Sequence, residues 1–587
     1  MRTAAFALLL VTSLPLQAQS IDEFFDEFTT EWVRGDPNLA TYLRYFEGEE
    51  QDRMDRQLTP RGRDYALERI ALAKGGLEQL REFDRSQLTD INRVSADLLD
   101  WQLQAMVDRE PFLDFDFPLN QFRGANVGLP RYLMRIHPVA SERDAENYVA
   151  KLAQIGARMD TAIAEVQRRE AKGVIPPRFI LDATIKQMYR FADPSPGQNP
   201  LAATLAKKMQ SVDSISAERR AQLLQQAETI IAEQVYPAWR KAIAMLEAQM
   251  PQATDDAGLW RLEGGDEAYA GRLHFFTTTD LTADEIHEIG LKEVARLEGE
   301  MDRLFRQIDR TKGSIAERMA QLKADRMYPD PTSEASREQV IKDIVAIVSD
   351  AEKRAESLFD VRPKAPVEVQ PTPTFMESNA AANYSAPTAD GSRPGIYQYP
   401  RRLDRMTKVG LRSVTYHETI PGHHFQVALQ VENEDQPRFR QLRAFGGISA
   451  FSEGWGLYAE RLAVEEGWYE GDPEGLLNAL DSQLFRARRL VVDTGIHAKG
   501  WTRQQAIDYG IPVSEVERYV VMPGQACSYM IGQLKIVELR EKTRAALGDK
   551  FSLREFHNVV LGLGFVPLGL LEQEVDSYIA SNSGPAE

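Results

Sequence analysis

Apolar residues recur every three or four positions through most of this 587-residue chain. That period buries one face of an α-helix and does not suit a pleated strand. Residues 86–107 and 142–166 carry it, the second ahead of a break at 173–177. Residues 333–358 carry it again. Thr282-Ala283-Asp284-Glu285 is a capping box and predicts a helix running past Met301. The run Asp193-Pro194-Ser195-Pro196-Gly197 reads as a turn. One stretch departs from the pattern. Prolines recur over 361–375, around a β-like Val367-Glu368-Val369, and residues 381–399 read as two short strands about a glycine-rich turn. The expected fold class is therefore mainly α, with a small β element whose edge could hold an extended peptide. We expect one mostly helical unit over 19–587, with room for two lobes around a deep cleft.

Composition narrows the partners. The chain carries 70 Lys and Arg against 88 Asp and Glu, a net charge of −18, so a phosphate backbone is repelled and no nucleic-acid partner is expected. A basic start, an apolar run over 4–16 and small residues up to Ala18 read as a secretory signal peptide over 1–18, cleaved after Ala18. The run is too short for a membrane span, and no cysteine follows it, so no stable membrane anchor is expected. The protein is then secreted or periplasmic. Its single cysteine, Cys527, allows no internal disulfide, so stability must come from a large core.

Three of the eight histidines fall in His417-Glu418-Thr419-Ile420-Pro421-Gly422-His423-His424. A His-Glu pair followed by a further histidine is how zinc hydrolases place two imidazoles and a general base on one element. The usual interval between the two ligands is four residues, which keeps both rings on one helix face. Here the interval is six or seven. On an ideal helix His423 falls nearly opposite His417, whereas His424 faces the same way. Pro421-Gly422 breaks the helix expected over 411–429, and a two-residue bulge there would return His423 to the ligand position. We favour His423, with His424 as the alternative. Zinc needs a third protein ligand and an open position. Glu453, in Phe451-Ser452-Glu453-Gly454-Trp455, is the candidate, since a carboxylate among apolar neighbours calls for a cation. Glu460, two turns on, suits an acceptor for a ligand imidazole. His287-Glu288 lacks a partner histidine and reads as an ordinary helical pair.

His-Glu-x-x-Pro-Gly-His-His, Ser452 to Glu460, the segment Pro523-Gly524-Gln525-Ala526-Cys527-Ser528-Tyr529 with its continuation to Lys535, and Asp390-Gly391-Ser392-Arg393-Pro394-Gly395 together resemble the family catalogued as domain of unknown function 885. They lie within a motif-bearing region of about 375–540. That family is similar to the gluzincin zinc metallopeptidases, such as angiotensin-converting enzyme, thimet oligopeptidase and the thermostable carboxypeptidases. The resemblance implies a helical zincin-like fold with zinc on His417, His423 and Glu453, and with Glu418 as general base.

Other residues offer support. Tyr529 or His497 could donate to the oxyanion formed on hydrolysis. Gln525, Tyr529 and Gly532 share a face if that segment is helical, and Gly532 would admit a substrate or a second chain. Arg489 could fork onto a substrate carboxylate, although a pairing with Asp493 one turn on is preferred. Gln525 and Lys535 are further substrate candidates. Trp455 and Trp501 read as packing residues. The expected function is a zinc-dependent exopeptidase or oligopeptidase acting on short peptides. The alternatives are a metal-dependent amidase or esterase, or an inactive binding protein on the same scaffold.

Overall fold

A computed structural model describes residues 19–583, apart from 373–376, 378–380, 389–392 and 403–405. The expected signal peptide and the motif residues Asp390, Gly391 and Ser392 lie outside the described residues. Helices dominate, and the chain is mainly α. Where the sequence signals a helix, one forms with its cap. The 86–107 periodicity becomes Asp90–Asp108 behind an N-cap at Thr89. The Thr282 hydroxyl accepts from the Glu285 N–H at 3.2 Å, and the Glu285 carboxylate accepts from the Thr282 N–H at 2.9 Å. These two bonds satisfy amide groups that the first turn leaves free, and start the helix Ala283–Gln307. The 142–166 pattern is interrupted earlier than expected, giving Glu142–Leu152 and Ile155–Glu170.

Apolar side chains collect into three buried clusters. The largest takes residues from 21–103 and again from 259–575, so the first helices pack onto the C-terminal half. A second is confined to 58–253. A third joins Phe117 and Ile180 to Val492, Ile496 and Tyr519, tying the intervening segment to the rest.

The β element is a three-stranded sheet: β1 Val367–Pro371, β2 Asn383–Ser385 and β3 Gly395–Tyr399, in the order β1-β3-β2. β1 runs parallel to β3, with Val367 opposite Gly395. β2 runs antiparallel to it, with Tyr384 opposite Tyr397. β3 alternates in the manner of a strand with one covered face, burying Gly395, Tyr397 and Tyr399. Gly395 fits against the His424 ring, where a Cβ would stand 2.8 Å from Nδ1. The sheet thus braces the histidine segment from one side.

Two long helices complete the frame. Ser449–Glu465 crosses Ser528–Leu547 at Gly454 and Gly532. A Cβ on Gly532 would lie 1.9 Å from the Ala450 carbonyl oxygen, so only glycine allows this approach. Gly532 admits a neighbouring helix here, not the substrate or second chain expected from the sequence. Pro473–Ala498 lies along Ala283–Gln307, where a Cβ on Gly290 would come within 2.8 Å of the Leu490 side chain. Among the described residues no helix is long and apolar enough to cross a membrane.

Candidate metal centre

The histidine segment folds as two helices, Leu411–Glu418 and His423–Glu432, rather than as one helix with a bulge. The Ile420–Pro421 peptide is cis. The turn closes tightly: the Gly422 N–H donates to the Tyr416 carbonyl at 3.0 Å, and the His424 N–H to the Thr419 carbonyl at 3.1 Å. A Cβ at Gly422 would sit 2.0 Å from the His417 carbonyl oxygen, which explains the glycine. The reversal brings His423 beside His417, with ring centroids 4.7 Å apart and planes at 82°.

Glu453 meets both rings. Its Oε2 lies 3.4 Å from His417 Nε2 and 3.6 Å from His423 Nε2. These separations are longer than an N–H···O hydrogen bond, which spans about 2.7–3.2 Å. They match the ~3.4 Å between neighbouring donors when each lies about 2.0–2.1 Å from a tetrahedral zinc ion. Among the described residues, His417, His423 and Glu453 are the group of metal-binding side chains whose donor atoms converge, all within 4.8 Å of one another.

One helix serves His417 on two sides. Glu453, Gly456 and Glu460 follow each other at spacings of three and four in Ser449–Glu465, hence on one face. Glu453 faces the ring's Nε2, and the ring lies against Gly456, where a Cβ would come 2.6 Å from His417 Cε1. The Glu460 carboxylate accepts from the Nδ1–H at 2.9 Å. This fixes the tautomer that leaves Nε2 free to bind a cation. Glu460 also accepts from the Ser413 hydroxyl and, at 2.8 Å, from the Ser482 hydroxyl. Arg486 donates to Ser482 and stands 3.9 Å from Glu460. Sequence reasoning missed Ser413, Ser482 and Arg486. Only the four-residue step from Ser482 to Arg486, continued to Arg489, hinted at a shared helical face.

Electrostatics agree with a cation-seeking pocket. Burial favours neutral His417, but the Glu453 and Glu460 carboxylates outweigh it and hold the imidazole up at about 10. Burial raises Glu453, and its two histidines more than reverse this, holding it well below the usual carboxylate range. The side chains by themselves thus stabilise positive charge between them, which a divalent ion could supply in place of protons. Burial pushes Glu418 up, with His423, His417 and Arg486 pulling the other way. Glu418 therefore stands within electrostatic range of the whole group. His423 is held less firmly, since its buried Nδ1 has no partner among the described residues.

The remaining candidates separate. His424 turns away from the group: its Nδ1 pairs with the Tyr384 hydroxyl at 2.9 Å, and burial lowers it to about 4. Tyr529 stays near the centre, with its hydroxyl destabilised as an anion by burial and then by Glu453. Arg489 pairs with Glu515 at 2.9 Å, not with Asp493 as the sequence suggested. Asp493 instead accepts from the Tyr269 hydroxyl at 2.7 Å and the Gly524 N–H at 2.9 Å.

Three candidates are corrected. His497 cannot serve an oxyanion, because its Nδ1 accepts from the Leu259 N–H at 3.2 Å and its Nε2 donates to the Tyr519 carbonyl at 3.1 Å. Lys535 is neutralised by Glu538 at 3.0 Å and Glu572 at 3.3 Å, so it offers no free charge to a substrate. Gln525 lies in a short turn ahead of the helix that begins at Ser528, so it does not share a helical face with Tyr529. Its amide is engaged by Arg518 and, at 3.5 Å, by Ser449. Trp455 is a packing residue, donating to the Pro421 carbonyl at 2.9 Å. His287 bonds Thr494 at 2.8 Å, as an ordinary core histidine does. A cavity of about 570 Å³ lies elsewhere, lined by residues such as Asp36, Arg61 and Tyr132. The donor geometry, not cavity size, identifies this site.

The family described as "Bacterial protein of unknown function (DUF885)" matches residues 37–575. No curated protein matches the chain. Among solved structures, a "putative lipoprotein" from Colwellia psychrerythraea is 30% identical, with a TM-score of 0.88, covering 96% of this chain and 100% of its own. A "putative lipoprotein of unknown function" from Shewanella oneidensis has a TM-score of 0.71 at 20% identity, covering 95% of this chain and 99% of its own, and shares the fold.

Proposed function

Starting from membership of the DUF885 family of bacterial proteins of unknown function, to which the chain belongs, we propose that it is an exported zinc-dependent peptidase acting on short peptides. The observation that carries this reading is the spacing of Glu453 Oε2 from the two imidazole Nε2 atoms, 3.4 and 3.6 Å, too long for good hydrogen bonds and right for a shared metal. Two histidines and one glutamate would make the donor set of a gluzincin-like hydrolytic site, with the adjacent Glu418 as its base.

His417, His423 and Glu453 would hold the ion. Zinc bound there would lower the pKa of its water and polarise the scissile carbonyl. Glu418 takes the proton from the attacking water as the water oxygen bonds to the carbonyl carbon. It then delivers that proton to the amine as the C–N bond breaks. The Tyr529 hydroxyl can donate to the oxyanion that forms between these steps. Glu460, steadied by Ser413 and Ser482, keeps the His417 ring in register. Export is supported by the signal-like start and by the "putative lipoprotein" descriptions of both structural relatives.

The test is direct. Purified protein is expected to bind about one zinc per chain and to cleave a panel of short peptides. Chelation should stop cleavage and zinc should restore it. Cleavage of esters or non-peptide amides but no peptide would move the reading to another hydrolase. Zinc binding with no hydrolysis of any class would leave a binding protein.

A further inference from the structure

The helix Pro473–Ala498 runs past the centre with Ser482, Arg486 and Arg489 on one side. The first two are absorbed by Glu460. Arg489 is different. Its residue is only 7% exposed, and one guanidinium nitrogen, Nη2, bonds Glu515 at 2.9 Å. The buried Nε and Nη1 find no partner among the described residues. Leaving such donors unpaired is costly, and a guanidinium donor is costlier than a neutral one.

Arg489 and Arg518 share Glu515, and Arg518 spends its other donor on Gln525. The Tyr519 hydroxyl donates to Glu515 as well. Asp493, one turn along, takes the Tyr269 hydroxyl and the Gly524 N–H on one oxygen, Oδ1, and makes no bond to Arg489; burial raises it to about 7. The guanidinium carbon lies 4.7 Å from the Tyr529 ring centroid and 4.5 Å from that of Phe485, so aromatic faces hold its plane. A buried cation with two unpaired donor nitrogens, held between aromatic faces and sharing its one carboxylate partner, suits a further carboxylate oxygen.

We infer that Arg489 receives the free C-terminal carboxylate of the peptide, so that the site releases residues from the C-terminal end. This rests on the peptidase reading above. Tyr529, stacked on the same guanidinium and in the field of Glu453, bridges the two subsites.

The experiment compares one peptide in three forms with zinc-loaded wild-type protein: free at both ends, N-acetylated, and C-terminally amidated. Products are read by mass spectrometry. The free and N-acetylated forms should lose C-terminal residues at similar rates. The amide should fall on the order of 100-fold in kcat/KM, as when one partner of a buried charge pair is removed. In Arg489→Met the acid-to-amide ratio should collapse towards one. In Arg489→Lys it should fall part way, mainly through KM, because a lysine keeps the charge and loses the planar array of donors. If Arg489→Met does not fold, the wild-type comparison still decides. Equal rates on acid and amide, or a block by N-acetylation alone, overturn the inference and leave the peptidase reading standing. Failure to cleave any form while zinc is bound removes both.

Discussion

His417 carries the site because both its nitrogens are assigned. Nδ1 is fixed by Glu460 at 2.9 Å, which leaves Nε2 aimed at the space shared with His423 and Glu453. Glu460→Gln should therefore weaken zinc binding by about 10–100-fold, the usual effect of removing an outer partner of a ligand histidine. Competition with a chromophoric chelator measures it, and unchanged affinity would remove Glu460 from the site. Glu418 makes a separable claim. Glu418→Gln should retain zinc and lose roughly two to four orders of magnitude in kcat, the contribution of a general base. Full activity in that variant would sink the proton route. The pairing of His417 with Glu453 and Glu460 was legible in the sequence, because a glutamate among apolar residues and another seven positions on declare one buried helix face. The choice between His423 and His424 was not, since it depends on a turn whose path no helical arithmetic describes. Arg486 escaped notice because arginines one turn from serines are common on exposed helix faces.

At the level of elements, the centre depends on glycines that let backbone or ring come close. Gly456→Ala would place a methyl group 2.6 Å from His417 Cε1, so the ring must move or the helices must part. We expect this variant to fold and to lose most of its zinc, read by metal analysis beside circular dichroism. Zinc retained at wild-type affinity would mean the ring has slack that this packing denies. Gly532→Ala acts elsewhere, at the crossing of Ser449–Glu465 with Ser528–Leu547, where a Cβ would meet the Ala450 carbonyl. Overpacking there should cost about 1–3 kcal/mol and lower the midpoint of denaturant unfolding. An unchanged midpoint would contradict so tight a crossing. Helix existence was readable from periodicity and from the Thr282 capping box. The role of Gly532 was misread, because a glycine that admits a substrate and one that admits a helix look alike in sequence.

Across the whole molecule, buried neutral histidines set an acid limit. His137 and His557 are lowered to about 4 and His497 to about 3, in each case first by burial. In the unfolded chain such groups titrate near 6.5. Between those values the unfolded state binds more protons, so stability falls as pH drops from about 6.5 towards 4. His424, lowered to about 4, adds to this, while Asp493, raised to about 7, and Glu418, also raised by burial, work in the opposite sense as two groups against four. The melting temperature should thus decline steadily over that range, and a flat profile down to pH 4 would contradict the burial of these side chains. The fold class followed from periodicity alone, whereas the way residues 21–103 pack with 259–575 in one core left no local trace. The central claim, that His417, His423 and Glu453 share a metal, is tested most directly by anomalous diffraction from zinc-loaded crystals across the zinc edge. The account predicts one strong peak about 2.0–2.2 Å from His417 Nε2, His423 Nε2 and a Glu453 carboxylate oxygen. No peak there, or a peak held by His424 in place of His423, would contradict it.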